Sequence, residues 1–206
     1  MKFSIKRKEL KAMARFCAVK DVRYYLQGVQ VVQDNRGTYI QSTNGHILGR
    51  LLIDGESKPV ASVILPPEAL KALAGTVKNS NEYLHFTIDG VKISVISQTC
   101  EQVFTAFDAR FPDCDRVIPL DVSESDTKPA TFNPEYLMAF LNASNDLLGK
   151  KVIPSILQRG DQSAIVNIGV ENFVGVIMPV RDKSSAFVPA FCRQPVTAPV
   201  ADTVTE

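Results

Sequence analysis

The chain contains no tryptophan, only two histidines and only four cysteines among its 206 residues. No two cysteines form a CxxC pair, so the sequence predicts no zinc site and no other metal centre. It also lacks a P-loop, a GxGxxG motif and an HExxH motif. His46 has no serine, cysteine or carboxylate at the spacing of a catalytic triad. These absences argue against an enzyme and against a bound cofactor.

Long apolar runs are missing as well. No stretch approaches the roughly 20 apolar residues of a membrane-spanning helix, and the first residues lack the apolar core of a secretion signal. We therefore expect a cytoplasmic protein with no membrane contact and with reduced, buried cysteines. The net charge of +1 excludes a uniformly basic nucleic-acid binder, yet the first 23 residues contain eight basic and two acidic side chains. Such a local basic face can still attract phosphate.

What the sequence does contain is a module that occurs three times. Its copies are Ile5-Lys-Arg-Lys-Glu-Leu-Lys-Ala-Met, Leu65-Pro-Pro-Glu-Ala-Leu-Lys-Ala-Leu and Phe132-Asn-Pro-Glu-Tyr-Leu-Met-Ala-Phe. In each copy a large apolar residue ends a strand-like stretch, and a leucine, an alanine and a second large apolar residue follow at fixed positions. Self-similarity of this kind indicates a fold built from stacked copies.

The pattern around each copy predicts a unit of one strand, one helix and three further strands. An apolar stripe places the first helix at 7–17, with Leu10, Met13 and Cys17 on one face. The second helix is predicted to open at the Pro66-Pro67 pair and to end near residue 77. The third is predicted from an Asn133 N-cap to a stop at Gly149. Residues 182–206 show no periodicity, which predicts a disordered tail.

Four further motifs resemble, in the same order, parts of the bacterial DNA sliding clamp, the beta subunit of DNA polymerase III. They are Lys-Asp-Val-Arg-Tyr-Tyr-Leu-Gln-Gly at 20–28, Thr-Asn-Gly-His at 43–46, the segments 108–113 and 116–119, and Val-Ile-Met-Pro-Val-Arg at 176–181. The resemblance implies the DNA clamp fold of the α+β class. In that fold, repeated strand-helix-three-strand units place helices around a central hole and sheets on the outside.

The resemblance also implies a domain organisation. Residues 1–121 resemble a complete clamp domain of two units, 122–128 form a linker, 129–181 resemble half a domain, and 182–206 form the tail. The family's chains have three domains, or six units, and close into rings of twelve units. This chain has three units, so we expect a shortened relative, such as one carried by a phage or a mobile element, rather than the housekeeping clamp.

By resemblance, the function is that of a non-enzymatic polymerase processivity factor. It encircles duplex DNA without sequence specificity and tethers replication proteins through a pocket for peptides of DNA polymerases and of the clamp loader. The residues matching that pocket are Leu26, Thr43, Gly45, His46, Leu48, Pro119, Val176, Ile177, Met178, Pro179, Val180 and Arg181. Ordinary core packing is the alternative for Leu26, Leu48 and Ile177. Ile47 departs from the family, which usually has an arginine there.

The same resemblance turns the first helix towards the hole. The residues expected to face DNA are Lys6, Arg7, Lys8, Lys11, Arg15, Lys20, Arg23, Tyr24, Lys71 and Lys78. Lysine and arginine there would hold phosphates without reading bases. A solvated helix face is the alternative for the basic residues, and strand packing is the alternative for Tyr24.

A full ring of twelve units requires four chains of three units. An odd number of alternating units gives both ends of a chain the same orientation, so we expect isologous contacts, first unit to first unit and third unit to third unit. A homotrimer is the alternative assembly, if residues 122–206 complete a second domain. The alternative function is a ring-incompetent clamp mimic that binds polymerase or clamp-loader peptides or inhibits a host clamp.

Overall fold

A computed structural model describes residues 1–75, 80–99, 101–120, 130–158 and 160–180. The helices of these ranges are α1 (Arg7–Ala14), α2 (Pro67–Ala74) and α3 (Pro134–Leu148). The strands are β1 (Lys2–Lys6), β2 (Val29–Asp34), β3 (Gly37–Thr43), β4 (Ile47–Asp54), β5 (Ala61–Leu65), β6 (Tyr83–Asp89), β7 (Lys92–Ile96), β8 (Glu101–Thr105), β9 (Ser155–Leu157), β10 (Ala164–Asn167) and β11 (Phe173–Ile177). The predicted linker, the predicted tail, Lys78 and Arg181 lie outside the described residues.

Local chemistry sets the ends of the helices. The Lys6 amide donates to Glu9 Oε2 at 2.8 Å at the start of α1, and Asn133 Oδ1 accepts the Glu135 amide at 2.9 Å at the start of α3. Gly149 ends α3 with φ of +72°, a conformation that favours glycine. Helix α1 ends three residues earlier than predicted, because the amides of 15–17 bond to carbonyls three residues back and tighten the last turn.

The first two units exchange their first strands. Strand β1 leaves the first unit and pairs with β6, in a four-stranded sheet of order β1-β6-β7-β8. Strand β5 leaves the second unit and pairs with β2. Each unit therefore supplies one strand to the sheet of the other, and the apolar residues of both units pack into one core with those of the third.

The third unit joins the opposite side of the first unit. Strand β11 pairs antiparallel with β4, which gives a seven-stranded sheet of order β5-β2-β3-β4-β11-β10-β9. Helix α1 contacts both α2 and α3. The order of the units in space is thus second, first, third. The expected contact between first units is wrong, because both sides of the first unit are already occupied within the chain.

Two facing glycines let the helices approach this sheet closely. Gly49 on β4 lies opposite Gly175 on β11. A Cβ atom on Gly49 would lie 2.6 Å from the Phe16 ring, and one on Gly175 would lie 2.5 Å from the ring of Phe140. The two rings meet with their centroids 4.9 Å apart, and both are fully buried. This aromatic pair holds the third unit against the first, and truncation of either ring to alanine should cost about 3–5 kcal/mol.

Candidate functional site

A cavity of about 240 Å³ opens where the first and third units meet. Its lining comes from three stretches that are far apart in sequence: the region around the first two motifs, the loop after β8, and the end of β11. The lining residues are Arg23, Leu26, Thr43, Gly45, His46, Ile47, Leu48, Pro112, Asp113, Cys114, Val117, Val176 and Met178. An open, largely apolar cavity with a few polar groups at its edge suits the anchoring side chains of a ligand.

The floor of the pocket is apolar and rigid. Leu26 lies on a short 3-10 helix (Tyr24–Gln27), and its carbonyl accepts the Ala18 amide at 2.8 Å. Leu48 and Val176 are paired residues of β4 and β11. All three are at most 2% exposed. They pack in a small apolar cluster, separate from the main core, that also contains Cys114.

The turn between β3 and β4 forms the polar edge. The Thr43 hydroxyl donates to the Ile47 carbonyl at 2.6 Å, and Asn44 Oδ1 accepts the amides of His46 and Ile47 at 2.9 and 3.0 Å. Gly45 has φ of +93°, which a residue with a side chain rarely adopts. The turn therefore presents its backbone in one fixed conformation.

The third unit closes the other side of this turn. The His46 ring stacks on Tyr136 of α3 with centroids 5.4 Å apart, and the His46 carbonyl accepts the Met178 amide at 2.8 Å. The Met178 side chain is 38% exposed at the rim. Residues of two units thus fix the shape of the opening together.

Arg23, one of the residues expected to face DNA, lies at the mouth of the pocket. Its guanidinium would lie 3.2 Å from a Cβ atom on Gly45. Two hydrogen bonds to the Asp21 carboxylate, at 2.7 and 3.0 Å, hold the guanidinium there. The same bonds lower the pKa of Asp21 to about 2. The pocket therefore carries a cation at its edge although Ile47 replaces the family's usual arginine.

Several residues expected in the pocket lie elsewhere. Ile177 is fully buried in the main core, and Val180 makes an isolated bridge with Thr131. Pro119 and Pro179 are not among the lining residues, and Arg181 is outside the described residues. The sequence analysis also missed part of the lining, namely Arg23, Ile47, Pro112, Asp113, Cys114 and Val117. Arg23, Pro112, Asp113 and Val117 belong to the motifs at 20–28, 108–113 and 116–119, which contained the signal.

Arg7 is a correction to the residues expected to face DNA. It is 4% exposed. Its Nε lies 2.6 Å from Glu82 Oε2, and its Nη1 donates to the Leu73 carbonyl at 2.7 Å. Hydrogen bonds from Ser97 and Arg7 lower the pKa of Glu82 to about 2. Arg7 therefore joins the first two units internally and is not available to a phosphate.

Lys11 on α1 and Arg15, the residue that follows this helix, lie along the border of α1 with α3. Lys11 Nζ lies 2.9 Å from Asp146 Oδ1, and Arg15 Nε lies 2.8 Å from Asp146 Oδ2. The Asp146 side chain is only 4% exposed, whereas those of Lys11 and Arg15 are 45% and 39% exposed. The partly exposed side chains of Lys11 and Arg15 thus both pair with the buried carboxylate of Asp146.

The other residues expected to face DNA are dispersed. Lys6 Nζ lies 5.3 Å from the centroid of the Tyr83 ring, Lys8 is partly exposed, and Lys20 and Lys71 are exposed. Tyr24 is 48% exposed, and its ring packs edge-on against Phe107 with centroids 5.4 Å apart.

Among the described residues, no group of three or more histidine, cysteine, aspartate or glutamate side chains is placed to hold a metal ion. Within the same residues, no helix is both long enough and apolar enough to cross a membrane.

The chain is 34% identical over 105 residues to the beta sliding clamp of Proteus mirabilis, and the aligned part covers 50% of this chain and 28% of that protein. Its structure is similar to the DNA polymerase III subunit beta of Pseudomonas aeruginosa, with a TM-score of 0.69, 18% identity, and coverage of 88% of this chain and 66% of that chain. The Borrelia burgdorferi subunit beta, solved in complex with a natural product, gives a TM-score of 0.70 at 13% identity, with coverage of 87% and 64%.

No protein-family model matches the chain. The solved structures establish that it has the DNA clamp fold, so the predicted α+β fold class and the resemblance to the bacterial sliding clamp are confirmed. The aligned part spans less than a third of the Proteus mirabilis protein (28%) and about two thirds of the solved clamp chains (66% and 64%).

Proposed function

We propose that this chain is a reduced DNA sliding clamp, a non-enzymatic processivity factor that encircles duplex DNA and tethers replication proteins through its pocket. The observation that carries the proposal is the pocket at the junction of the first and third units, on a clamp fold. The cavity forms only when the first and third units are packed together. Imperfect packing inside either unit alone would not produce it.

A short peptide with spaced leucine and phenylalanine side chains suits this pocket best. The apolar floor of Leu26, Leu48 and Val176 accepts a buried anchor, and such anchors carry most of the energy of small interfaces. Arg23 at the mouth offers a charge-assisted hydrogen bond to a peptide carbonyl or carboxylate. Polymerases and clamp loaders are the partners that this proposal names.

Duplex DNA is the second proposed ligand, and α1 and α2 supply its cations. Lys8, Lys11, Arg15 and Lys71 remain after Arg7 and Arg23 are assigned to other roles. The third unit contributes less, because Met138 stands where the other two copies of the module have Lys11 and Lys71. Few and sequence-independent phosphate contacts suit a protein that slides.

A closed ring of four chains follows from the order of units. The second and third units are the ends of each chain and have the same orientation, so closure uses isologous contacts of second with second and third with third units. A homotrimer is the alternative, in which residues 122–206 complete a domain within one chain. Native mass spectrometry with nicked circular and with linear DNA tests the ring. We expect four chains that stay on the circle and leave the linear ends.

One observation favours the alternative function of a ring-incompetent mimic of the clamp. Asp146 offsets the charge of Lys11 and Arg15, which weakens the basic face on which encirclement depends. A monomer that binds clamp-binding peptides but is not retained on circular DNA would identify the chain as such a mimic. A tetramer retained on circles and released by linearisation would exclude it.

A further inference from the structure

The third unit leaves uncovered the surface that the first two units bury against each other. Ile5 and Leu65 are fully buried in their copies of the module, whereas the equivalent Phe132 is partly exposed. Leu10 and Leu70 are 0% and 7% exposed, whereas the equivalent Leu137 is partly exposed. Phe132 and Leu137 are therefore partly exposed on the side of the third unit that corresponds to the contact between the first and second units.

Residues 130–132 take the position of the first strand of the third unit through an isolated bridge between Thr131 and Val180, and in the described part of the chain only this edge is bonded. The Val180 amide donates to the Thr131 carbonyl at 2.7 Å. In the second unit, the Phe107 amide bonds in the same way to the carbonyl of Ile64, the residue equivalent to Thr131. Ile64 lies on β5, the first strand of the second unit. The other edge of β5 pairs along its full length with β2 of the first unit. Within the described residues, the corresponding edge of 130–132 has no strand beside it.

Strand β9 presents the complementary edge. It ends the seven-stranded sheet, and in the described part of the chain only β10 pairs with it. The third and second units can be aligned by setting Val180 equivalent to Phe107 and following the strand pairings back from there. In this alignment Ile156 on β9 is equivalent to Phe86 on β6. Phe86 is 2% exposed and pairs with Phe3 of the exchanged strand β1, whereas Ile156 is partly exposed.

We infer that the third units of two copies complete a clamp domain by exchanging their first strands, with residues 130–132 of each chain pairing with β9 of the other. The occupant of the uncovered surface is a second copy of this chain, because the contact repeats the exchange of β1 and β5 already present between the first two units. The sheet then continues from one chain into the next. This inference rests on the proposed ring and specifies one of its two contacts.

The internal template fixes the register. Phe3 pairs with Phe86 and Ser4 with His85, so Ala130 should pair with Ile156 of the second copy, and Thr131 with its Ser155. The Ser4 hydroxyl lies 2.8 Å from His85 Nδ1, which shows that side chains touch at this position of the ladder. Thr131 and Ser155 are both exposed in the single chain, so the pair tolerates substitution.

Disulfide trapping tests the register directly. In a background of Cys100→Ser and Cys192→Ser, the double variant Thr131→Cys with Ser155→Cys should give a covalent two-chain band on a non-reducing denaturing gel, because opposed cysteines on neighbouring strands meet disulfide geometry. Each single variant should give no such band. Absence of the band while the unmodified protein sediments as an oligomer would overturn the exchange but leave the ring standing. A monomeric unmodified protein would overturn both.

A proline substitution gives an independent measurement. Consecutive residues of a strand direct their backbone groups to opposite edges, so the Ala130 amide faces away from Val180, towards the edge proposed to receive the second copy. Ala130→Pro should therefore keep the fold of the chain and reduce the assembly from four chains to two, joined through their second units. An unchanged mass in sedimentation would count against the exchange.

Discussion

Arg15, the residue that follows α1, and Asp146 on α3 are joined at 2.8 Å across the border between the first and third units, in the face proposed to meet DNA. Lys11 contacts the other oxygen of the same carboxylate. The acidic residue orients both cations and at the same time offsets their charge. If this face meets DNA as proposed, the strength of DNA binding would be set by Asp146 as well as by the basic residues.

Replacement of Asp146 with asparagine should strengthen retention on nicked circular DNA. The change releases two cations, and each added phosphate contact steepens the dependence of log K on log salt by roughly 0.9. Retention measured across a salt series checks this expectation. Asp89→Asn, on the exposed β6–β7 hairpin, makes the same change in net charge away from the helices and should have little effect. Equal effects of the two variants would place DNA on another surface.

Met178→Ala should weaken binding of a clamp-type peptide containing glutamine followed by spaced leucine and phenylalanine. Loss of an interface anchor costs about 1–2 kcal/mol, or roughly five- to thirtyfold in Kd. Fluorescence anisotropy with a labelled peptide measures it. Met138→Ala removes a methionine of similar exposure outside the pocket and should bind like the parent. If both variants bind alike, the peptide does not occupy this cavity.

The buried pair of Arg7 and Glu82 should make stability depend on acid pH. The pKa of Glu82 is lowered from 4.5 to about 2, so the folded state binds the proton less readily than the unfolded state. Its contribution to the free energy of unfolding is complete above about pH 4.5 and disappears as the pH falls towards 2. Glu82→Gln should thus be less stable than the parent at pH 7, with a difference that narrows at pH 3 in urea titrations. Glu171→Gln, an exposed change, should show no such narrowing.

Cys17 and Cys114 should resist alkylation in the folded protein. Burial raises the pKa of Cys17 to about 12 and that of Cys114 to about 11, so neither forms appreciable thiolate at pH 8. Iodoacetamide labelling followed by peptide mapping should find both thiols unmodified until denaturant is added. Rapid labelling of Cys114 would show that the small cluster beneath the pocket opens readily.

Gly175→Ala should destabilise the junction of the first and third units. The added methyl group would meet the Phe140 ring at 2.5 Å, and overpacking of this kind typically costs 1–3 kcal/mol. Thermal unfolding measures the loss. Gly55→Ala is the matched control, because no atom lies within 4 Å of its Cβ position. A Gly175→Ala protein as stable as the control would mean that Phe140 has room to move aside.

The repeated pattern in the sequence was enough to predict the helices of the three units, but not how the units are arranged in space. The leucines at 10, 70 and 137 and the caps at Asn133 and Gly149 act over a few residues, so local patterns predicted the helices. Arg7 was misassigned because its partner, Glu82, is 75 residues away in the sequence and belongs to the second unit, so no local pattern reveals the pair. The sequence also did not predict that the first unit lies between the second and the third. That order depends on the pairing of β4 with β11, which are far apart in the sequence.

The motifs quoted from the sequence contain part of the residues that line the cavity. Leu26, Leu48 and Val176 line one cavity, although each comes from a different stretch. Arg23 lies in a predicted motif, but a basic residue near a basic helix was interpreted as a contact to DNA. Only the position of its guanidinium beside Gly45, fixed by Asp21, reveals its place at the mouth.

The pocket lies across a joint, so a ligand in it also acts on the joint. A peptide that touches both the β3–β4 turn and the end of β11 binds the docked arrangement of the two units more tightly than a loosened one. Thermodynamic reciprocity then requires that any influence which tightens the joint raises peptide affinity by the same factor. In the proposed ring, this joint also lies between two neighbouring units around the circle. If closure strains or relaxes the joint, occupancy of the pocket and closure around DNA would be energetically linked without any further contact between them.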